Sequence, residues 1–276
     1  MVFWRSREKP FKMIWRVTRG DRISYLAGTA HFFPYRFGVS LADRLKTTDT
    51  VLFEGPLDKE SMARVSRAGT GAGEGDPLEE LLDAKGMARL RSVLFPEGSG
   101  TSSGSLQQLL GPSSRDPLRD LVRGMKPWMA FFTLWTSYLE RKGWRYSVDL
   151  QAYEVAKAMK KQIVFLERIE EQIEVLESLS LDRIRDFFSR ADQWDKYIKS
   201  YVKGYLEGDL DGILSLSIGF PSRTPMVIER RDEILFQRML PYVERGNAAA
   251  FVGTPHVRGI RPMLVREGYT VEHAGS

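Results

Sequence analysis

Ala248-Ala249-Ala250-Phe251-Val252-Gly253-Thr254-Pro255-His256 is an apolar run that stops at a glycine and delivers a histidine three residues later. The same phrasing stands near the other end of the chain, in Ile23-Ser24-Tyr25-Leu26-Ala27-Gly28-Thr29-Ala30-His31. Only three histidines occur in 276 residues, and two of them close a Gly-Thr-x-His phrase. A strand that ends in glycine can turn sharply, so that the next residues project from its carboxyl end, where open α/β sheets hold their ligands. Gly28 and Thr29, with Gly253 and Thr254, are read as the backbone of two such turns, aiming His31 and His256 at one point. Ends that are distant in sequence and both supply strands most simply share one sheet.

Outward from these phrases the rest of the pattern follows. Met13 to Val17 and Ile23 to Ala27 flank a Thr18-Arg19-Gly20-Asp21 turn and predict a β-hairpin. Leu41 to Lys46 reads as a short helix, and Asp49 to Glu54 as a third strand stopped by Gly55-Pro56. Residues 61–143 are helical in spacing, broken by Gly/Ser-rich stretches at Gly69–Gly75 and Pro96–Gly104. Helices are predicted at Val148–Met159 and Ile169–Leu179, with a strand at Gln162–Glu167 between them. Leu181–Leu206 reads as a long amphipathic region, and Glu229–Glu244 as a helix closed by Arg245-Gly246. A helix over Arg258–Glu267 and a strand over Tyr269–His273 complete the chain. The expectation is an α/β fold: one domain over 1–276, its mixed central sheet built from N- and C-terminal strands, with a large helical insertion at about 61–143.

Composition narrows the chemistry. The chain is 42% hydrophobic and 28% charged, with a net charge of +5, an ordinary globular balance that does not point to nucleic acid. Arg5, Arg7, Lys9, Lys12, Arg16 and Arg19 interleave with aromatics but read as single surface charges on a hairpin. No cysteine is present, which excludes disulfides, thiolate metal ligands and a cysteine nucleophile. No apolar run is long enough to span a bilayer, and the N-terminal residues lack the apolar core of a signal peptide, so a cytoplasmic protein is expected. A homodimer is the default assembly.

Glu54 completes the candidate site. It lies at the carboxyl end of an apolar strand, in the position the two histidine phrases occupy on theirs. Two neutral imidazoles and a carboxylate make an ordinary divalent-metal set with open positions for water and substrate. His31, His256 and Glu54 are therefore read as metal ligands, with bound water as the nucleophile, or Glu54 as the general base with the two histidines alone holding the ion. A second reading keeps His31 as general base and Glu54 as its orienting carboxylate without metal. Gly100-Thr101-Ser102-Ser103-Gly104 fits a serine-nucleophile pattern but lacks a preceding strand, and Gly69–Gly75 lacks the rest of a phosphate loop. His273, three residues from the C-terminus, is assigned no role.

With these residues in view the chain resembles the TraB/GumN family, which includes Tiki-type metalloproteases and is distantly related to erythromycin esterases and haem-binding ChaN proteins. The family's two Gly-x-x-His motifs and intervening Glu fall on Gly28/His31, Gly253/His256 and Glu54. Lys126-Pro127-Trp128, Ser147-Val148-Asp149 and Gln162–Glu167 with Glu171-Gln172 resemble further family landmarks. Where the family often has Arg-Asn before the second motif, this chain has Arg231-Asp232. The resemblance implies a mixed α/β fold whose two motifs meet at one cleft. It also implies a hydrolase of peptides or small esters and amides using manganese, cobalt or zinc, with Arg231 a catalytic cation near the reacting oxygen or the substrate carboxylate. Erythromycin esterases imply the metal-free His31/Glu54 alternative, and other relatives a non-catalytic haem- or peptide-binding protein.

Overall fold

In the computed structural model, which describes residues 8–71, 76–96 and 116–275, the hairpin is the start of a six-stranded sheet. Strands β1 (Ile14–Arg19) and β2 (Arg22–Thr29) pair antiparallel from Arg19↔Arg22 to Ile14↔Ala27. Gly20 takes the turn at φ +59°, a conformation open to glycine because it has no Cβ. β3 (Thr50–Phe53), β4 (Gln162–Phe165), β5 (Ala248–Gly253) and β6 (Thr270–His273) complete the order β4-β3-β5-β2-β1-β6. β4, β3, β5 and β2 run parallel, and β1 is antiparallel to both its neighbours. The N- and C-terminal strands thus share one mixed sheet, as the sequence pattern implies. β5 is buried along nearly its whole length, the mark of a central parallel strand covered on both faces.

Helices occupy the intervals. α1 (Gly38–Leu45) precedes β3. α2 (Lys59–Gly69), α3 (Pro77–Leu81), α4 (Ala84–Leu94), α5 (Pro117–Val122), α6 (Pro127–Arg141) and α7 (Val148–Ala158) lie between β3 and β4. α8 (Ile169–Glu177), α9 (Leu181–Ser189), α10 (Trp194–Glu207), α11 (Leu210–Leu216) and α12 (Pro225–Arg245) lie between β4 and β5. α13 (Thr254–Arg266) packs back onto β2 and β5. Aspartates and serines cap many of them: Asp58, Asp76, Asp83, Ser147 and Asp209 each accept a backbone N–H of the first turn. Two aromatic clusters fill the interior. Phe11, Phe33, Phe37, Tyr205 and Phe251 pack beside the sheet, and Phe131, Trp135, Phe187, Trp194 and Phe220 join the helices of the middle region.

Three expectations are corrected. Gly28 is the penultimate residue of β2 rather than its end, and neither Gly28 nor Gly253 has a positive φ. The glycine at 28 serves close approach: a Cβ there would stand 2.9 Å from Met13 Cγ and 3.3 Å from Thr254 Cα. The helix after β5 begins at Thr254, not Arg258, so the second phrase forms its first turn; a proline is tolerated there because its missing N–H has no helical partner anyway. α12 begins at Pro225, four residues before the predicted Glu229, because the Thr224 hydroxyl accepts the Val227 N–H. The serine pattern at 100–104, residues 72–75 of the glycine run, Arg5 and Arg7 lie outside the described residues.

Candidate active site

Four adjacent parallel strands end side by side, with Phe165 opposite Phe53, Phe53 opposite Phe251 and Thr29 opposite Gly253. The residues that follow are Glu167, Glu54, His256 and His31, so one sheet edge collects two carboxylates and two imidazoles. This is the carboxyl edge at which parallel sheets hold ligands. The two Gly-Thr-x-His phrases also touch each other, since the Thr254 hydroxyl donates to the Thr29 carbonyl at 2.8 Å.

His256 is buried in the first turn of α13, with its Nδ1 2.6 Å from Asp232 Oδ1. Asp232 reaches it across Gly259, where any Cβ would collide with the carboxylate. Burial pushes the Asp232 carboxyl up, and its contact with His256 pulls it partly back. The Nε2 of His256 faces Glu54 Oε1 at 3.8 Å, too long for a hydrogen bond.

Glu54 itself is held from two sides. Its Oε2 accepts the Gly253 N–H at 2.7 Å, and its Oε1 pairs with Arg231 Nη2. Arg231 also forks onto Glu167, through Nε at 2.8 Å and Nη2 at 2.7 Å. Burial alone would raise the Glu54 carboxyl. Arg231, then His256 and the Gly253 N–H, outweigh it and hold Glu54 well below the usual carboxylate range. Gln172 lies over Gly55 and donates to Glu167 at 3.4 Å.

His31 forms the outer half. Its Nδ1 stands 3.1 Å from Asp149, a buried carboxylate in the first turn of α7, while its own side chain is 74% exposed. The Asp149 charge raises the imidazole to about 9. His31 and Glu54 also act on one another electrostatically.

Residues 13–273 match the TraB/PrgY/gumN family, nearly the whole chain. The chain belongs to this family. No curated protein matches it.

In this TraB/PrgY/gumN protein the structure brings His31, Glu54, His256 and Arg231 to one edge, with Gly28, Thr29, Gly253 and Thr254 as the two adjoining backbones. Four further residues complete the surroundings. Asp149, Glu167 and Gln172 stand in landmark phrases to which the sequence reading assigned no role, and Asp232 stood out only as a departure from Arg-Asn. Glu167 had a signal, since it follows β4 as Glu54 follows β3. His273, by contrast, is structural: its Nε2 meets the Lys12 carbonyl at 2.7 Å and its ring packs edge-on against Trp15.

The donors suit a divalent ion in their chemistry. Both imidazoles have Nδ1 committed to an aspartate and Nε2 left over, the arrangement that orients metal-bound histidines. Four carboxylates (Glu54, Glu167, Asp149 and Asp232) stand against the two guanidiniums of Arg231 and Arg223, leaving negative charge uncompensated when the imidazoles are neutral. As the side chains lie, no three His, Asp or Glu side chains among the described residues converge on one ion position. Glu54 in particular is turned to Arg231 and Gly253.

Proposed function

We propose that this protein is a hydrolase acting on peptide or small ester and amide bonds with a divalent ion, manganese, cobalt or zinc, held by His31, His256 and Glu54. The observation that carries this reading is the pairing of both Nδ1 atoms with buried aspartates, His31 with Asp149 and His256 with Asp232. Each aspartate, accepting Nδ1–H, orients its ring so that the neutral form presents its Nε2 lone pair away from the carboxylate. The chemistry an ion supplies at such donors is a bound water acidified towards neutral pH and a polarised scissile carbonyl.

The Arg231 contact supports one of two roles for Glu54. A carboxylate held well below its ordinary range is a weak proton acceptor and a durable anion, which favours Glu54 as a charged donor over Glu54 as general base. Arg231 then acts by positioning Glu54, with Glu167 fixing the guanidinium from behind. The metal-free reading would have Asp149 rather than Glu54 orienting His31, and it requires the ring neutral although Asp149 favours its proton.

Metal content and thermal shift with each ion, on wild type, His31→Ala and His256→Ala, test the proposal. Wild type should gain about 2.7 kcal/mol at an ion concentration a hundred times Kd, and both variants should lose that gain together with peptide or ester hydrolysis. Hydrolysis that persists in chelator, with no ion shifting the wild-type transition, would move the function to the metal-free imidazole pair.

A further inference from the structure

Arg183 and Arg223 stand on adjoining segments, and the Nε of each is buried without a partner among the described residues, but their terminal nitrogens are used differently. Arg183 Nη2 donates to the carbonyls of Ile218, Phe220 and Arg223, at 2.8, 3.0 and 3.0 Å. Those three bonds clamp the loop between α11 and α12, and Phe220 anchors it further among Phe131, Phe187 and Trp135. The loop is thus rigid where it presents Arg223. The guanidinium of Arg223, however, makes no hydrogen bond or ion pair among the described residues, and its Nε is buried without a partner. Buried polar atoms are nearly always paired, so a fixed backbone carrying an unpaired cation calls for an external anion.

The surroundings say which anion. Arg223 lies within electrostatic reach of Glu54 and Arg231 of the candidate site, and of Tyr197 and Tyr201 on α10. Tyr201 stands beside Thr254 of the second phrase and also feels Asp149. Tyr197, Tyr201 and Tyr205 run along α10 with ring centroids 6.2 and 6.1 Å apart; the buried Tyr205 hydroxyl is spent on the Gly28 carbonyl at 2.7 Å, which leaves the phenols of Tyr197 and Tyr201 beside Arg223. Glu54, Glu167, Asp149 and Asp232 give the cleft an acidic floor that repels a dianion. One guanidinium with neutral phenols beside it matches a planar monoanion, taken through its two parallel N–H donors.

We propose that Arg223, with Tyr197 and Tyr201, anchors the free carboxylate of the substrate, so that the enzyme takes peptides or acyl amino acids whose scissile bond lies next to a terminal carboxylate. This substrate class rests on the hydrolase reading above. In the step it serves, water oxygen bonds to the acyl carbon, the carbon–nitrogen bond breaks, and the proton from water passes to the departing nitrogen. The leaving amino acid keeps the anchored carboxylate.

The test is binding, so that it stands apart from turnover. A panel of N-acetyl amino acids with uncharged side chains and the matching primary amides is titrated into wild type, Arg223→Gln, Arg223→Lys and His31→Ala, followed by arginine side-chain NMR and calorimetry. Wild type should bind at least one acid tenfold or more tightly than its amide, with the Arg223 Nε resonance shifting on binding. Arg223→Gln should lose that preference with an unchanged melting temperature, and Arg223→Lys should recover part of it. His31→Ala should keep the preference while losing hydrolysis, so a preference without turnover in wild type removes the hydrolase reading and leaves the anchor standing. Equal affinity for acid and amide in wild type, including no binding of either, overturns the anchor. So does a preference that survives in Arg223→Gln, or inorganic phosphate displacing the Nε signal at lower concentration than the acids.

Discussion

His31 shows how one neighbour sets the behaviour of a residue. The Asp149 carboxylate, 3.1 Å from Nδ1, favours imidazolium and raises the ring to about 9 from an ordinary 6.5. The chain has two other histidines, one buried against Asp232 and one on a backbone carbonyl, so all three can be followed separately by NMR. In chelator, His31 should titrate well above 6.5, and Asp149→Asn should bring it back towards that value. A midpoint that does not move on this substitution would assign the effect to something other than Asp149. At neutral pH an ion must displace the proton that Asp149 favours on His31, so ion uptake in the proposed site should release protons to the buffer.

At the scale of elements, the junction of β2, β5 and α13 depends on bare backbone at Gly28. An alanine there would stand 2.9 Å from Met13 Cγ, 3.2 Å from Val257 Cγ2 and 3.3 Å from Thr254 Cα. Gly28→Ala should therefore cost about 1–3 kcal/mol in urea denaturation, the usual scale for overpacking. Gly38→Ala is the contrast, because its nearest neighbour would lie 3.9 Å away at the start of α1, and it should be neutral or stabilising by about 0.4–1 kcal/mol. Equal losses at the two positions would remove the close-approach account. The glycines were visible in the sequence, but their reason was not. Turning and close packing leave the same letter, and only the contact with Met13 and Thr254 separates them. The strands were legible because Val51-Leu52-Phe53 and Ala248–Val252 are unbroken apolar runs ended by polar or glycine residues. Histidines and Glu54 at strand ends were legible for the same reason. Asp232 and Arg223 were not, because they reach the cleft from a helix and a loop whose approach is fixed by tertiary packing around Gly259 and Arg183.

Over the whole molecule, α12 is the element that ties the helical middle to the sheet edge. Arg231 reaches Glu54 after β3 and Glu167 after β4, and Arg238 two turns later forks onto Glu171 of α8 at 2.7 and 2.8 Å. The contacts with Arg238, opposed by partial burial, lower the Glu171 carboxyl to about 2 from 4.5. A carboxyl depressed by folding stabilises fully above its unfolded value and loses that contribution as pH falls through its folded value. Glu171 and Glu54 both act in this direction, whereas burial sets Asp232 the other way. His31, raised by folding, contributes fully below 6.5 and loses its part as pH rises through about 9; water screens this exposed ring, so that limb should be shallow. The metal-free protein should accordingly be most stable between about pH 5 and 6.5, with a steep acid limb and a gentle alkaline one. Urea denaturation of wild type and Glu171→Gln across pH 2 to 9 isolates the α8–α12 tie. The two should differ above pH 4.5 and converge as pH falls to about 2, because protonation removes from wild type what the substitution has already removed. A gap that stays constant down to pH 2 would mean that Glu171 stabilises through packing, and that α12 is held to α8 without its charge.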